Sequence, residues 1–329
     1  MKILVAGGGG YIGSVLVPIL VEHGYEVDVI DLLWFGNELP PGINLKKKDL
    51  FECSTEDLRG YDQVLFLAGL SNDPMAEFSP AMNFIDNGAL PSYLAYEAKR
   101  AGVKRFIYAS SCSVYGYTVN ELYDEDSPVV CSYPYGISKL QGERGVLQLG
   151  DDSFSTIAIR QGTVCGYSPR TRFDLIVNAM YRSAMQDGEI VVNNPSIWRP
   201  ILDVRDTCTA FLRAVQAHSS ISGIFNAASG NYTVGQVGDM VKDRVESLTG
   251  QKVRMVIRDV ADLRNYKVTW ARASTRLGFV PRFSITDMVD DLHAHRSEYG
   301  DFSADKFYNI KVFKAANISQ GRALGRPPN

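Results

Sequence analysis

In the stretch SYPYGISKLQGE, Tyr135 and Lys139 stand four residues apart, a spacing that puts both on one face of a helix. A phenol with an ordinary pKa of about 10 is a poor base at neutral pH, but a neighbouring ammonium stabilises its phenolate. The pair is therefore suited to take the proton of a sugar or alcohol hydroxyl. Alone, the Y-x-x-x-K spacing is common by chance and fits an exposed tyrosine beside a solvated lysine better. The stretch IYASSCSVYG supplies a setting: an apolar strand that ends in Ser110, Ser111 and Ser113, at the strand edge where doubly wound sheets carry their sites.

The elements that would position these groups start at the N-terminus. No charged residue occurs from Ile3 to Val21, which at first sight resembles an export or membrane segment. The interior argues against a single helix, because Gly7 to Gly10 would each cost about 1 kcal/mol relative to alanine. ILVA before the glycines suits a buried parallel strand, YIGSVLVPILVEHG after them a helix ending at Gly24, and YEVDVID a second strand finishing on an acid. Gly7, Gly10 and Gly13 fit G-x-x-G-x-x-G with Asp31 downstream, the dinucleotide-binding βαβ unit. In that unit Gly7 makes the tight turn, Gly10 lets a pyrophosphate approach the helix N-terminus, and Gly13 lets helix and sheet pack closely. Asp31 would accept from the adenosine ribose and repel a 2′-phosphate, which favours NAD over NADP. The positive nicotinamide ring would then also favour a phenolate at Tyr135.

The alternation continues. YDQVLFLAG, KRFIYASS and FSTIAIRQGTV read as strands separated by helices such as PSYLAYEAKRAG and YGISKLQGERGVLQLG, and SGIFNAAS could return one more strand. The pattern predicts an α/β fold, a Rossmann-type doubly wound parallel sheet, with a smaller C-terminal substrate-binding lobe. We place the cofactor domain at 1–167 with a returning segment near 200–230, the lobe at 168–315 and a flexible tail at 316–329. Within the lobe, EIVVNN reads as a short strand and WRPILDVRDTCTAFLRAVQAH as a strand leading into a helix.

Composition narrows the function. A net charge of −3 gives no footprint for nucleic acid, and the KKK run at 46–48 beside Asp49 reads as a solvated loop. Five scattered cysteines without C-x-x-C spacing suit reduced thiols in a cytoplasm, and four histidines form no ligand set, so no metal and no membrane partner is expected.

The glycine motif, the SSCSVYG strand end and the Y-x-x-x-K together resemble the extended short-chain dehydrogenase/reductases of the NAD-dependent sugar-nucleotide epimerase/dehydratase family, with UDP-glucose 4-epimerase-like features, to about residue 300. The resemblance implies that tyrosinate removes the C4 hydroxyl proton of a nucleotide-activated sugar while the C4 hydride passes to NAD. It implies Ser111 as the catalytic hydroxyl with Ser113 as a second contact, Tyr135 as base, and Lys139 as ribose ligand. Around the cofactor it implies Tyr11, Ile12, Leu50, Leu67 and Ala68, with Asp49 meeting the adenine and Asn87 orienting the active-site helix. For the substrate it implies Asn178, Arg199 and Arg264 at the diphosphate, where arginine's planar fork suits phosphate. Homodimers built from paired helices, here PSYLAYEAKRAG and the Tyr135 helix, are also implied.

Four positions depart from the family pattern. The Asp-Glu pair of the dehydratases is Cys112 and Ser113 here, which removes the obvious acid and base for eliminating a C6 hydroxyl. Cys112 is expected as a small buried packing residue rather than a proton donor. Thr163 stands where an asparagine contacts the sugar, and Asp203 where a histidine is usual. The expected activity is 4-epimerisation through a 4-keto intermediate. A 4-dehydrogenase, a 4-ketoreductase, a 4,6-dehydratase and a non-enzymatic NAD-sensing regulator stand as alternatives.

Overall fold

The computed structural model describes residues 1–260 and 264–315, without the side chains of 118–120. The tail expected at 316–329 lies outside the described residues. The strands are β1 (Lys2–Ala6), β2 (Glu26–Asp31), β3 (Asn44–Lys47), β4 (Gln63–Phe66), β5 (Arg105–Ser111), β6 (Tyr117–Tyr123), β7 (Ser155–Gln161), β8 (Thr163–Cys165), β9 (Glu189–Asn193), β10 (Trp198–Asp203), β11 (Gly223–Ala227), β12 (Gly230–Thr233), β13 (Arg254–Arg258) and β14 (Asn265–Val268).

Seven of them form one sheet in the order β11-β7-β5-β4-β1-β2-β3, and every adjacent pair is parallel. The strands are short apolar runs because both faces are covered. Ile3, Val5, Val29, Leu65, Ile107 and Ile159 pack on one side against the helices Gly13–Glu22 and Val204–Gln216. Leu4, Ala6, Val64, Phe66, Phe106 and Tyr108 pack on the other against the helices Leu90–Arg100 and Pro134–Leu147. Odd and even residues of each strand separate in this way because strand side chains alternate in direction. The switch of strand order, with β4 on one side of β1 and β2 on the other, opens a crevice at the strands' C-terminal ends.

Gly223–Ala227 does return to this sheet, as the edge strand beside β7. The first helix stops at Glu22, short of the expected Gly24. One expectation is overturned: KKK is not a loop, since Lys46 and Lys47 lie in β3, paired with β2. Exposed lysines on an edge strand keep it from recruiting another strand, while Lys48 beyond it pairs with Asp57 at 2.8 Å.

The lobe has its own core, in which Phe173, Val177, Tyr181, Val237, Val241, Met288 and Leu292 are buried together. Its small sheets join distant segments: β10 pairs with β8 and β12, β9 with β13, and β6 with β14. No helix among the described residues is long and apolar enough to cross a membrane.

Candidate active site

The glycine turn after β1 is shaped by backbone contacts. A Cβ on Gly7, which has φ +81°, would sit 2.5 Å from the Ala68 nitrogen, and one on Gly13 would sit 2.2 Å from the Gly8 carbonyl oxygen. A Cβ on Gly10 would meet no protein atom closer than 3.5 Å, so the room it leaves is open to a ligand at the helix N-terminus. Gly7, Gly10, Asp31, Leu50, Leu67 and Ala68 line this part of the crevice, with Trp34 and Phe35 beyond Asp31. The Asp31 carboxylate accepts from the Gly9 nitrogen at 2.9 Å and the Leu33 nitrogen at 2.7 Å, each on a different oxygen. Burial pushes its pKa up against those two N–H groups. A carboxylate has lone pairs left after two such bonds, enough for the hydroxyls of a ribose. These residues fit a dinucleotide.

Other expected cofactor residues act less directly. Ile12 lines the wider part of the crevice, whereas Gly13 holds the helix against the turn. Tyr11 is buried, its hydroxyl donating to the Gly166 carbonyl at 2.7 Å, so its side chain ties the turn to the lobe. Asp49 caps a short helical turn by accepting from the Phe51 nitrogen at 2.9 Å, and its neighbour Leu50 is the residue at the crevice wall. Asn87 is fully buried and donates to the Leu70 carbonyl at 3.0 Å, to Asn83 Oδ1 at 2.9 Å and to Ser138 Oγ at 3.3 Å. Ser138 lies in the helix Pro134–Leu147, so Asn87 fixes that helix against the loop after β4.

The crevice widens past Leu67, Ala68 and Gly69 into a cavity of ≈ 530 Å³ whose wall includes Ser111, Ser113, Tyr135, Lys139, Thr163 and Gln161. Ser111 ends β5, and its Oγ accepts from the Ser113 nitrogen at 3.2 Å and the Ser113 hydroxyl at 2.9 Å. Tyr135 opens the following helix just after Pro134, half-buried, and shares the cavity wall with Ser111. Burial raises the Tyr135 pKa and the Asp73 carboxylate adds to this, while the Ser111 hydroxyl and the Arg172 guanidinium oppose it. Lys139 lies one turn on. Burial pushes its pKa down to about 7, partly countered by Glu143, and its Nζ sits 4.5 Å from the Tyr108 ring centroid. Glu143 is itself neutralised by Arg160, at 2.6 Å and 2.9 Å. The cation with a resolved influence on Tyr135 is thus Arg172, which the sequence did not single out.

Arg199 and Arg264 reach the same cavity from the lobe. Arg264 pairs with Asp73, and Arg199 donates to the Trp198 carbonyl at 2.9 Å and to the Arg264 carbonyl. Arg172 is held in a two-bond pair with Asp174, at 2.8 Å and 2.9 Å. Asn178 does not join them. Its Oδ1 accepts from the Gly166 nitrogen at 2.9 Å, and its Nδ2 donates to the Gly166 carbonyl at 2.8 Å and the Arg172 carbonyl at 2.9 Å. Both amide atoms are taken up by backbone and the residue is fully buried, so its expected diphosphate contact is corrected to a clamp on the loop that carries Arg172.

With this geometry in place, comparison with known proteins places the chain. Residues 3–228 match the NAD dependent epimerase/dehydratase family. The chain belongs to that family. UDP-glucose 4-epimerase of Corynebacterium glutamicum is 25% identical over 327 residues, covering 92% of this chain and 98% of the relative. Among solved structures, UDP-glucose 4-epimerase from Thermotoga maritima with UDP-glucose aligns with a TM-score of 0.80 at 23% identity, over 91% of this chain and 99% of the other. UDP-glucuronic acid 4-epimerase from Bacillus cereus, in complex with UDP-glucuronic acid and NAD, aligns at 0.78 and 21% identity over 91% and 99%. These two likenesses carry the fold. As a member of the NAD dependent epimerase/dehydratase family, the chain takes NAD as its cofactor.

The departures from the family pattern have structural reasons. The Cys112 thiol is fully buried and donates to the Arg160 carbonyl at 3.1 Å, and burial pushes its pKa up. Such a thiol packs against β7 and has no access to a leaving hydroxyl. Asp203 pairs with Arg205 at 2.7 Å and caps the helix Val204–Gln216 through the Arg205 nitrogen at 2.7 Å. Thr163 does face the cavity. Arg172, Asp73 and Gln161 were missed in the sequence; the N-cap at Asn72 ahead of Pro74 marks the helix start at Asp73, but nothing local marks the other two.

Proposed function

We propose that this protein interconverts the C4 epimers of a nucleotide-activated sugar by oxidising C4 to a ketone and reducing it again from the opposite face. The observation that carries the reading is that Ser111, Tyr135 and Lys139 share the wall of one crevice that runs from the glycine cradle to Arg199 and Arg264. The named relatives, UDP-glucose 4-epimerases, support it.

Tyr135 takes the C4 hydroxyl proton, and Ser111, in the same cavity wall, bonds the sugar oxygen. Held by Gly7, Gly10, Asp31 and Lys139, NAD would supply the acceptor and donor for the C4 hydride. The burial-raised pKa of Tyr135 makes it a reluctant phenolate until cations gather, and Arg172 is already one of them. Lys139 holds the nicotinamide ribose; bonds to hydroxyl oxygens would stabilise an ammonium that burial, against Glu143, pushes to about 7. On the return step Tyr135 gives the proton back to the new C4 hydroxyl, so its protonation is unchanged over a cycle. Arg199 and Arg264 grip the diphosphate from a framework fixed by Asp73 and two carbonyls. That grip anchors the nucleotide while the 4-keto sugar turns its other face.

The division near residue 167 into cofactor and sugar halves belongs to this reading, as does a cytoplasmic setting. A homodimer through the helices Leu90–Arg100 and Pro134–Leu147 is supported by the exposed Tyr96 and Ile137 on them; light scattering in solution tests it.

The test is incubation with UDP-, GDP-, dTDP- and CDP-hexoses, with products followed by NMR and cofactor redox state by absorbance. Conversion to a C4 epimer without net NADH is expected. NADH accumulating with a released ketone would make the enzyme a 4-dehydrogenase, and loss of the C6 hydroxyl a dehydratase.

A further inference from the structure

Gln161 is the last residue of β7, and its Cα is in register with that of Ser111 on β5. Side chains in register on neighbouring strands emerge side by side on the same face, so Gln161 stands next to Ser111, in the cavity wall that also holds Tyr135. It lines the cavity yet is only 7% exposed. Its Nε2 donates to the Ser110 carbonyl at 3.2 Å. A carbonyl can only accept, so this bond fixes which end of the amide is which. The other end, Oε1, is buried and has no hydrogen-bond partner among the described residues. Leaving a buried acceptor unpaired costs more than an ordinary hydrogen bond gains. The Ser113 hydroxyl on the same cavity wall is already used, donating to Ser111.

We propose that Gln161 is a ligand-binding residue whose Oε1 accepts a hydrogen bond from an uncharged N–H or O–H group beside the reacting carbon. The inference rests on the proposed function. An amide suits the place better than an acid, because a second carboxylate near Tyr135 would add to the upward push that Asp73 already exerts. Two groups supply such a donor there: a sugar hydroxyl next to C4, and the carboxamide of the nicotinamide. Each completes the amide's bonding only when the ligand is in place, so the orphaned oxygen links recognition to the loaded site.

The experiment uses the full chain with Gln161→Met and Gln161→Leu. Three quantities are read: the melting temperature without ligand, the Kd for NAD alone by calorimetry, and the Kd and kcat/KM for the nucleotide hexose that the wild type turns over. The melting temperature should stay near that of the wild type, because the variants lose the unpaired acceptor together with the bond to the Ser110 carbonyl. If the carboxamide is the donor, the Kd for NAD rises about tenfold and the sugar's Kd at saturating NAD stays put, a loss of one good hydrogen bond. If the sugar hydroxyl is the donor, NAD affinity is unchanged while the sugar's Kd rises and kcat/KM falls by a similar factor. A lowered melting temperature with both affinities within twofold of wild type would make Gln161 a structural residue and overturn the proposal. Should the wild type neither bind nor convert any nucleotide hexose, the proposed function fails. The NAD titration then decides alone, and an unchanged Kd overturns the inference.

Discussion

The glycine cradle and the arginine-bearing lobe border the same cavity, yet different rules place their residues. In the cradle, each position follows from backbone proximity within a few residues or to one neighbouring strand: Gly13 lies against Gly8, and Gly7 against Ala68. In the lobe, placement depends on pairings across long stretches of chain, such as Arg264 with Asp73 and β10 with β8 and β12. A local motif therefore specifies a role in the cradle and only a neighbourhood in the lobe. Between the two stands the helix of Tyr135, whose start is local and whose orientation comes from Asn87 and Ser138.

The largest effect should fall on that intermediate helix. Tyr135→Phe removes the proposed base and should lower kcat by about 10³-fold, with NAD affinity and melting temperature near wild type by calorimetry. Retention of activity toward every sugar nucleotide would remove Tyr135 from the chemistry.

Within the cradle, two glycines separate folding from binding. Gly13→Ala drives a Cβ onto the Gly8 backbone and should cost about 2–3 kcal/mol of stability in urea titrations. Gly10→Ala meets no such backbone and should unfold like the wild type, while its Kd for NAD rises at least tenfold. Equal losses of stability in the two variants would break the distinction between a packing glycine and a phosphate-facing one.

In the lobe, the corresponding contrast is Asn178 against Arg199. Asn178→Ala leaves Gly166 and Arg172 backbone groups unpaired and should lose about 2 kcal/mol of stability. Arg199→Ala should instead raise KM for the nucleotide sugar about tenfold with kcat little changed, as loss of one charge-assisted grip on phosphate. A KM effect at Asn178 without a stability effect would restore the diphosphate role expected from sequence.

The smallest effect concerns Lys139. Its folded pKa of about 7 lies below the ordinary 10.5, so the unfolded chain binds more protons between those values. Stability from this group therefore rises with pH across that window, and its penalty is full at and below pH 7. Lys139→Met should raise the melting temperature of the ligand-free protein at pH 6.5, with the gain shrinking by pH 9.

The same contrast explains what could be read in advance. The sheet, the cradle and the hydroxyl-tipped β5 were legible because short apolar runs, glycine spacing and a Y-x-x-x-K pair are local signals. Asn178 was misassigned because its position matches a phosphate-contacting pattern while its amide turns to nearby backbone. Arg172 and Gln161 gave no signal: one enters the cavity through the loop that Asn178 clamps, the other through a strand register. The lysines of β3 resembled a loop because an edge strand open to water carries the same composition.

The central claim is that the hydride leaving C4 returns to C4 within one active site, and a substrate deuterated at C4 tests it most directly. Incubated with the enzyme in ordinary water and no added NAD beyond that bound, both epimers should keep deuterium at C4 by NMR. Loss of deuterium from C4 into the cofactor pool or solvent, with ketone released, would contradict the account.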